Sequence, residues 1–117
     1  IGKVLPSLEG KMEGTAMRVP VITGSVIDLV LKLKKNTTVE EINNAFKNSV
    51  NETLGYTTDP IVSSDTIGMY YGGLVDSLLT SINEVDGEQL VKVVAWYDNE
   101  MSYTAQMVRV ARYFSNL

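Results

Sequence analysis

The sequence predicts an α+β domain: a mainly antiparallel sheet covered on one face by helices, including a C-terminal helix. Three observations lead there. Most apolar runs are short and rich in β-branched residues, an Asp-Gly pair divides two of them into a hairpin, and only two stretches place apolar residues at helical spacing. A chain of 117 residues corresponds to one domain, and folding at that size buries roughly two thirds of the extended chain's surface. With 44% hydrophobic and 21% charged residues, the composition is that of a globular protein and not of a disordered one.

Taken in order, residues 16–35 are β-rich. Met17, Val19 and Val21 alternate to one side of a first strand, Thr23-Gly24 interrupts it, and residues 26–33 follow as a second, largely buried strand. Pro20 has no backbone donor, which confines the first strand to an edge or a bulge. Thr38-Val39-Glu40-Glu41 has the spacing of a capping box, and Ile42, Phe46 and Val50 behind it define an amphipathic helix over residues 39–50. Leu54-Gly55-Tyr56-Thr57 reads as a short strand. Asp59-Pro60 and Ser63-Ser64-Asp65 read as turn and loop, with strand content resuming near Met69.

Asp86-Gly87 predicts a two-residue hairpin turn between strands 77–85 and 88–97. In that register Ile82 faces Val91, Thr80 faces Val93 and Leu78 faces Ala95, which gives one mostly apolar face. Tyr103, Met107, Val110 and Phe114 form the apolar side of the C-terminal helix expected to cover it.

Composition excludes several functions. Ten basic and 14 acidic residues give a net charge of -4 without long runs, so no basic face is available to nucleic acid. No apolar stretch reaches the ~20 residues that cross a bilayer, and no leader pattern opens the chain, so a protein away from membranes and in the cytoplasm is expected. Without cysteine or histidine there is no thiolate, no imidazole base and no soft metal ligand. Ser63-Ser64-Asp65 therefore cannot complete a hydrolase triad, and Glu40-Glu41 and Asp86/Glu88 are solvated carboxylates at a helix start and a hairpin tip. Asn36-Thr37-Thr38 and Asn51-Glu52-Thr53 match the glycosylation acceptor pattern by accident. The first residue, Ile1, predicts a segment of something longer.

Three residues remain as candidates. Asn99 stands where a strand ends and a helix begins; its amide offers donors and an acceptor together, as paired recognition of a carboxamide requires, yet Asp98 or Asn99 is equally a helix cap, and spacing alone favours the cap. Tyr103, one turn on, can point towards the same spot and stack on a flat ring, or pack beside Met107. Arg18 stands alone between apolar residues, where a guanidinium suits a phosphate oxyanion or simply lies along the surface.

The run from Trp96 to Tyr103, Trp-Tyr-Asp-Asn-Glu-Met-Ser-Tyr, closely resembles the segment between the last strand and the C-terminal helix of phosphorylating glyceraldehyde-3-phosphate dehydrogenases. Ile1 to Pro6, Arg18-Val19-Pro20, Ser25 to Leu29, Leu54 to Thr57 and Val62 to Asp65 match in order and at the family's spacing. Residues 21–25 and 67–72 have a bacterial flavour.

The resemblance implies the second, C-terminal part of the catalytic domain, preceded in the family by an NAD-binding Rossmann domain and by the stretch carrying the cysteine and histidine. The family's reaction forms a hemithioacetal on that cysteine, passes hydride to NAD, and releases the thioester with inorganic phosphate as an acyl phosphate. By the same resemblance, Arg18 binds the phosphate of glyceraldehyde 3-phosphate, Asn99 hydrogen-bonds the nicotinamide carboxamide, Tyr103 lies beside the nicotinamide ring, and the parent is a glycolytic homotetramer. Where many members have Phe after the Asn-Glu pair, this chain has Met101-Ser102, expected to repack the site and loosen the helix start slightly. The expectation is an inactive piece of an NAD-dependent enzyme that does not bind NAD by itself; the alternative is an autonomous, non-catalytic binding or self-assembly module.

Overall fold

A computed structural model describes residues 1–117. In chain order its regular elements are β1 (Ser25–Leu31), α1 (Val39–Asn48), β2 (Leu54–Thr57), β3 (Gly73–Asp76), β4 (Ser81–Val85), β5 (Glu88–Tyr97) and α2 (Met101–Ser115). Short 3-10 turns occupy Pro6–Leu8, Ser63–Thr66 and Ser77–Leu79.

The Asp86-Gly87 turn forms as expected, with φ of 53° and 80° at its two residues. Positive φ at both positions gives the twist that lets β4 and β5 pair directly, with Ile82 opposite Val91. Strand β5 is the axis of the sheet. It pairs antiparallel with β1 along one edge and, along the other, with β4 at its start and β3 at its end; β2 then adds parallel to β3. The α+β class holds, with a mixed sheet of five strands and two helices.

One face of β5 carries Val91, Val93 and Ala95, aligned with Leu31, Leu29 and Ile27 of β1. Val75 joins from β3, opposite Ala95, and Ile42 from α1. Val91, Val93, Val75 and Ile42 form the core, with Leu29, Leu31, Ala95, Phe46, Leu54 and Ile82 packed at its margin. Helix α1 is delivered there by the capping box: Thr38 Oγ1 accepts from Glu41 N at 3.1 Å while Glu41 Oε2 accepts from Thr38 N at 2.9 Å. These bonds, with one from the Thr37 hydroxyl, hold the Glu41 carboxyl below its ordinary pKa, the Thr38 amide contributing most. The helix ends at Asn48, and Val50 is exposed beyond it.

Several expectations are corrected. Residues 12–24 contain no strand, so the first of the two strands expected in residues 16–35 is absent; Met17, Val19 and Val21 alternate, but no neighbour pairs with them. Strand β1 is only partly covered, with Val26, Ile27 and Val30 exposed. Strand β4 begins at Ser81, because the Asp76 carboxylate accepts from Leu78 N at 3.1 Å and folds Ser77–Leu79 into a 3-10 turn. Val75, not Leu78, therefore sits opposite Ala95. Strand content resumes at Gly73 and not near Met69.

Helix α2 departs furthest from expectation. Its expected covering side, Tyr103, Met107, Val110 and Phe114, is exposed. The residues turned inward are Met101, Ser102, Ala105, Gln106 and Arg109. Their anchors are polar: Arg109 donates to the Tyr70 carbonyl at 2.9 Å, and the Gln106 amide, turned so that its nitrogen faces the Thr53 hydroxyl at 3.2 Å, accepts from Gly72 N at 3.1 Å. Only 13 of 117 residues are buried, and the radius of gyration is 15.7 Å, against about 13 Å for a compact chain of this length. Large apolar surfaces are left uncovered.

Replacing Thr38 by Ala removes one half of the capping box and is expected to lower stability by about 1 kcal/mol, read as a shift in the denaturant midpoint with an unchanged slope.

Candidate functional site

Strand β5 ends at Tyr97 and helix α2 starts at Met101, so three residues, Asp98 to Glu100, make the turn between them. Asp98 is buried, and its carboxylate organises the junction. Oδ1 accepts from the amides of Glu100 at 2.9 Å and Met101 at 3.0 Å, satisfying donors that a helix start leaves open. Oδ2 accepts from Gly68 N at 2.8 Å, which ties in the loop after the Ser63–Thr66 turn. The Asp98 amide donates to Ser102 Oγ at 3.1 Å, so cap and helix bind each other reciprocally. Ser102 is buried and also reaches the Met69 carbonyl at 3.4 Å. The Ser102 hydroxyl thus ties the first turn of the helix to Asp98. Gly68, Met101 and Glu100, in that order of effect, hold the Asp98 carboxyl below the usual aspartate pKa.

The capping role thus falls to Asp98, which leaves the Asn99 side chain for something else. Its Oδ1 accepts from Gly24 N at 3.1 Å, with the hydroxyls of Ser25 and Thr23 at 3.3 and 3.4 Å. A backbone N–H can only donate, so the atom facing Gly24 is the amide oxygen. The nitrogen is left without a partner in the chain, on an exposed residue. Tyr103, on the first turn of α2, is 71% exposed. Arg18 is exposed on the irregular segment before β1 and takes part in none of the chain's ion pairs. It lies six residues before Gly24, a reach of at most about 20 Å, and no hydrogen bond joins it to Asn99 or Tyr103.

All three side chains lie at the exposed surface. Grooves of about 290 Å³ beside α2 and about 390 Å³ beside α1 are lined by other side chains. No group of three or more carboxylates gathers as for a metal ion, and no helix is long and apolar enough to cross a membrane. Sequence reasoning missed the convergence of residues 23–25 on Asn99 and of Gly68 on Asp98. Nothing local signals either, because the partners are separated by 75 and 30 positions. Trp96 donates its indole N–H to the buried Asp76 at 3.0 Å and braces β5 against β3.

The architecture is an α+β fold of one mixed five-stranded sheet and two helices, with a polar junction between β5 and α2. The family model described as glyceraldehyde 3-phosphate dehydrogenase, C-terminal domain, matches residues 1–99, and the chain belongs to that family. It is 60% identical over all 117 residues to glyceraldehyde-3-phosphate dehydrogenase of Streptococcus pyogenes, and equally to that of Streptococcus dysgalactiae subsp. equisimilis. Identity to the Clostridium pasteurianum enzyme is 59%. In each case the whole of this chain matches 35% of the relative's length.

A carboxyl with a lower pKa folded than unfolded binds its proton more weakly when folded. It therefore stabilises the fold fully above the unfolded value of about 3.9, and the contribution is lost as pH falls through the lower, folded value. Asp98→Asn puts an amide against the Gly68 donor and is expected to cost about 1–3 kcal/mol at neutral pH. The variant should also show a shallower loss of stability in acid than the parent, measured by denaturant unfolding between neutral pH and pH ~3.

Proposed function

We infer that the chain is the C-terminal part of the catalytic domain of an NAD-dependent phosphorylating glyceraldehyde-3-phosphate dehydrogenase. The observation that carries this is 60% identity along the full 117 residues to enzymes of that name, of which the chain matches 35%. On this reading the NAD-binding Rossmann domain and the part bearing the cysteine and histidine lie outside these residues, which contain neither amino acid. The enzyme oxidises the aldehyde of glyceraldehyde 3-phosphate and, with inorganic phosphate, releases an acyl phosphate. NAD, when bound, takes up the hydride.

The chain's own residues bind and orient. Arg18, with no acidic partner in the chain, holds the substrate phosphate. The Asn99 amide nitrogen, unused within the chain, donates to the carboxamide of the nicotinamide, and the exposed Tyr103 ring lies beside the nicotinamide. The residues fit the coenzyme as one wall of a site and not as a complete one: one amide and one ring face outward. The exposed side of α2 and the uncovered parts of β1 supply surface for the rest of the polypeptide and for other subunits of a homotetramer. The setting is glycolytic and cytoplasmic. For the alternative, an autonomous binding or self-assembly module, the same apolar surface supports self-association, which sedimentation of the isolated chain measures.

The isolated 117-residue chain is expected to produce no NADH and to give no calorimetric signal with millimolar NAD; micromolar binding overturns the reading. A chimera in which these residues replace the matching third of the Streptococcus pyogenes enzyme should be active. In it, Arg18→Ala is expected to raise KM for the aldehyde about tenfold or more, and Asn99→Ala to raise KM for NAD about fivefold. An inactive chimera of native oligomeric size counts against the assignment.

A further inference from the structure

Asn99 is useful as a donor only if its amide stays one way round. A solvent-exposed asparagine turns freely about its last torsion and presents oxygen and nitrogen in alternation. Here Gly24 N, Ser25 Oγ and Thr23 Oγ1 all surround the oxygen, at 3.1, 3.3 and 3.4 Å. The main-chain donor is the firmest of the three. The two hydroxyl contacts are long for O–H···O and steer more than they bind.

The position of that main-chain donor is itself fixed. Gly24 has φ +94°, and a Cβ there would stand 2.8 Å from the Ser63 carbonyl oxygen, so glycine is required by both conformation and space. The same Ser63 carbonyl accepts from Thr66 Oγ1 at 2.8 Å, which closes the turn. Two residues beyond Thr66, Gly68 N is held by Asp98. Asp98 thus anchors the loop behind Gly24, and Gly24 in turn holds the residue next to Asp98. The Thr23 hydroxyl, 3.4 Å from both the Asp98 carboxylate and the Asn99 oxygen, links the two halves and donates to one at a time.

Resting on the dehydrogenase reading above, we propose that Thr23, Gly24 and Ser25 are positioning residues for Asn99: their donors converge on its amide oxygen and reserve its nitrogen for the coenzyme carboxamide. The coenzyme feels this positioning through Asn99, even though the Thr23 hydroxyl also reaches Asp98. Loss of the two hydroxyls therefore weakens coenzyme binding only while Asn99 is present.

A double-mutant cycle in the chimeric dehydrogenase tests this. Thr23→Val with Ser25→Ala should raise KM for NAD about two- to fourfold, and leave it essentially unchanged when Asn99 is already Ala. Thr23→Ser should restore most of the loss in the Val variant. Equal shifts in both backgrounds, or none in the parent, overturn the positioning role while leaving the dehydrogenase reading intact. A chimera that makes no NADH overturns that reading, and the coenzyme part of this inference with it. The orientation itself is read without turnover from the side-chain amide resonances of Asn99 in 15N-labelled chimera or chain. A restricted amide that becomes mobile in the Val/Ala variant is the expected result, and an amide already averaging in the parent overturns the lock.

Discussion

The Asp98 carboxylate is the contact through which separate stretches of this chain become one site. A buried acceptor with hydrogen bonds from Gly68, Glu100 and Met101 starts helix α2, pins the loop before β3 and leaves the next residue, Asn99, free to face outward. A buried carboxylate is costly to desolvate, and the backbone donors offset that cost because charge-assisted bonds are about twice as strong as neutral ones. The lowered pKa of Asp98 reports the same balance. Alongside this anchor, the pairing of Ser25 with Tyr97 brings Gly24 next to Asn99.

The junction hangs from β5. Its ten residues pair with three other strands, so each end of the domain refers back to one rigid element. Strand β3 and the hairpin strand β4 share one edge of β5 end to end, and the Ser77–Leu79 turn marks where one gives way to the other. The core on this frame is thin. Val91, Val93, Val75 and Ile42 form it, while the apolar side of α2 and several positions of β1 face outward. On the proposed reading, the exposed Arg18, Asn99 and Tyr103 belong to a surface that other polypeptide completes.

Features that involve neighbouring residues were legible in the sequence. The Thr38–Glu41 capping box spans four residues and the Asp86-Gly87 turn two, and in both the side chains or the tolerance of positive φ enforce the geometry locally. The Leu54–Thr57 and Glu88–Tyr97 strands were legible because their ends are marked by turn residues. The expected strand through Met17 and Val21 failed because alternation describes a side chain's preference for a pleated surface and supplies no partner for the backbone. The extension of β4 to Leu78 failed because β3, which ends at Asp76, already occupied that edge and Asp76 folds the next residues into a turn. In α2 the spacing located the helix and its apolar side, but periodicity carries no information about what that side meets.

By itself, the sequence determined the family, the α+β class, the local stops and starts, and the identity of Arg18, Asn99 and Tyr103 as the residues to watch. These rest on short-range chemistry and on motifs whose order is preserved along the chain. Only the tertiary structure decided that Asp98 is the cap and that Asn99 is held by residues 75 positions away. It also decided that the covering side of α2 is uncovered. The hold on Asn99, and that of Asp98 on Gly68, depend on which distant backbone donors arrive beside a given acceptor, and that is set by the sheet and not by spacing in the chain.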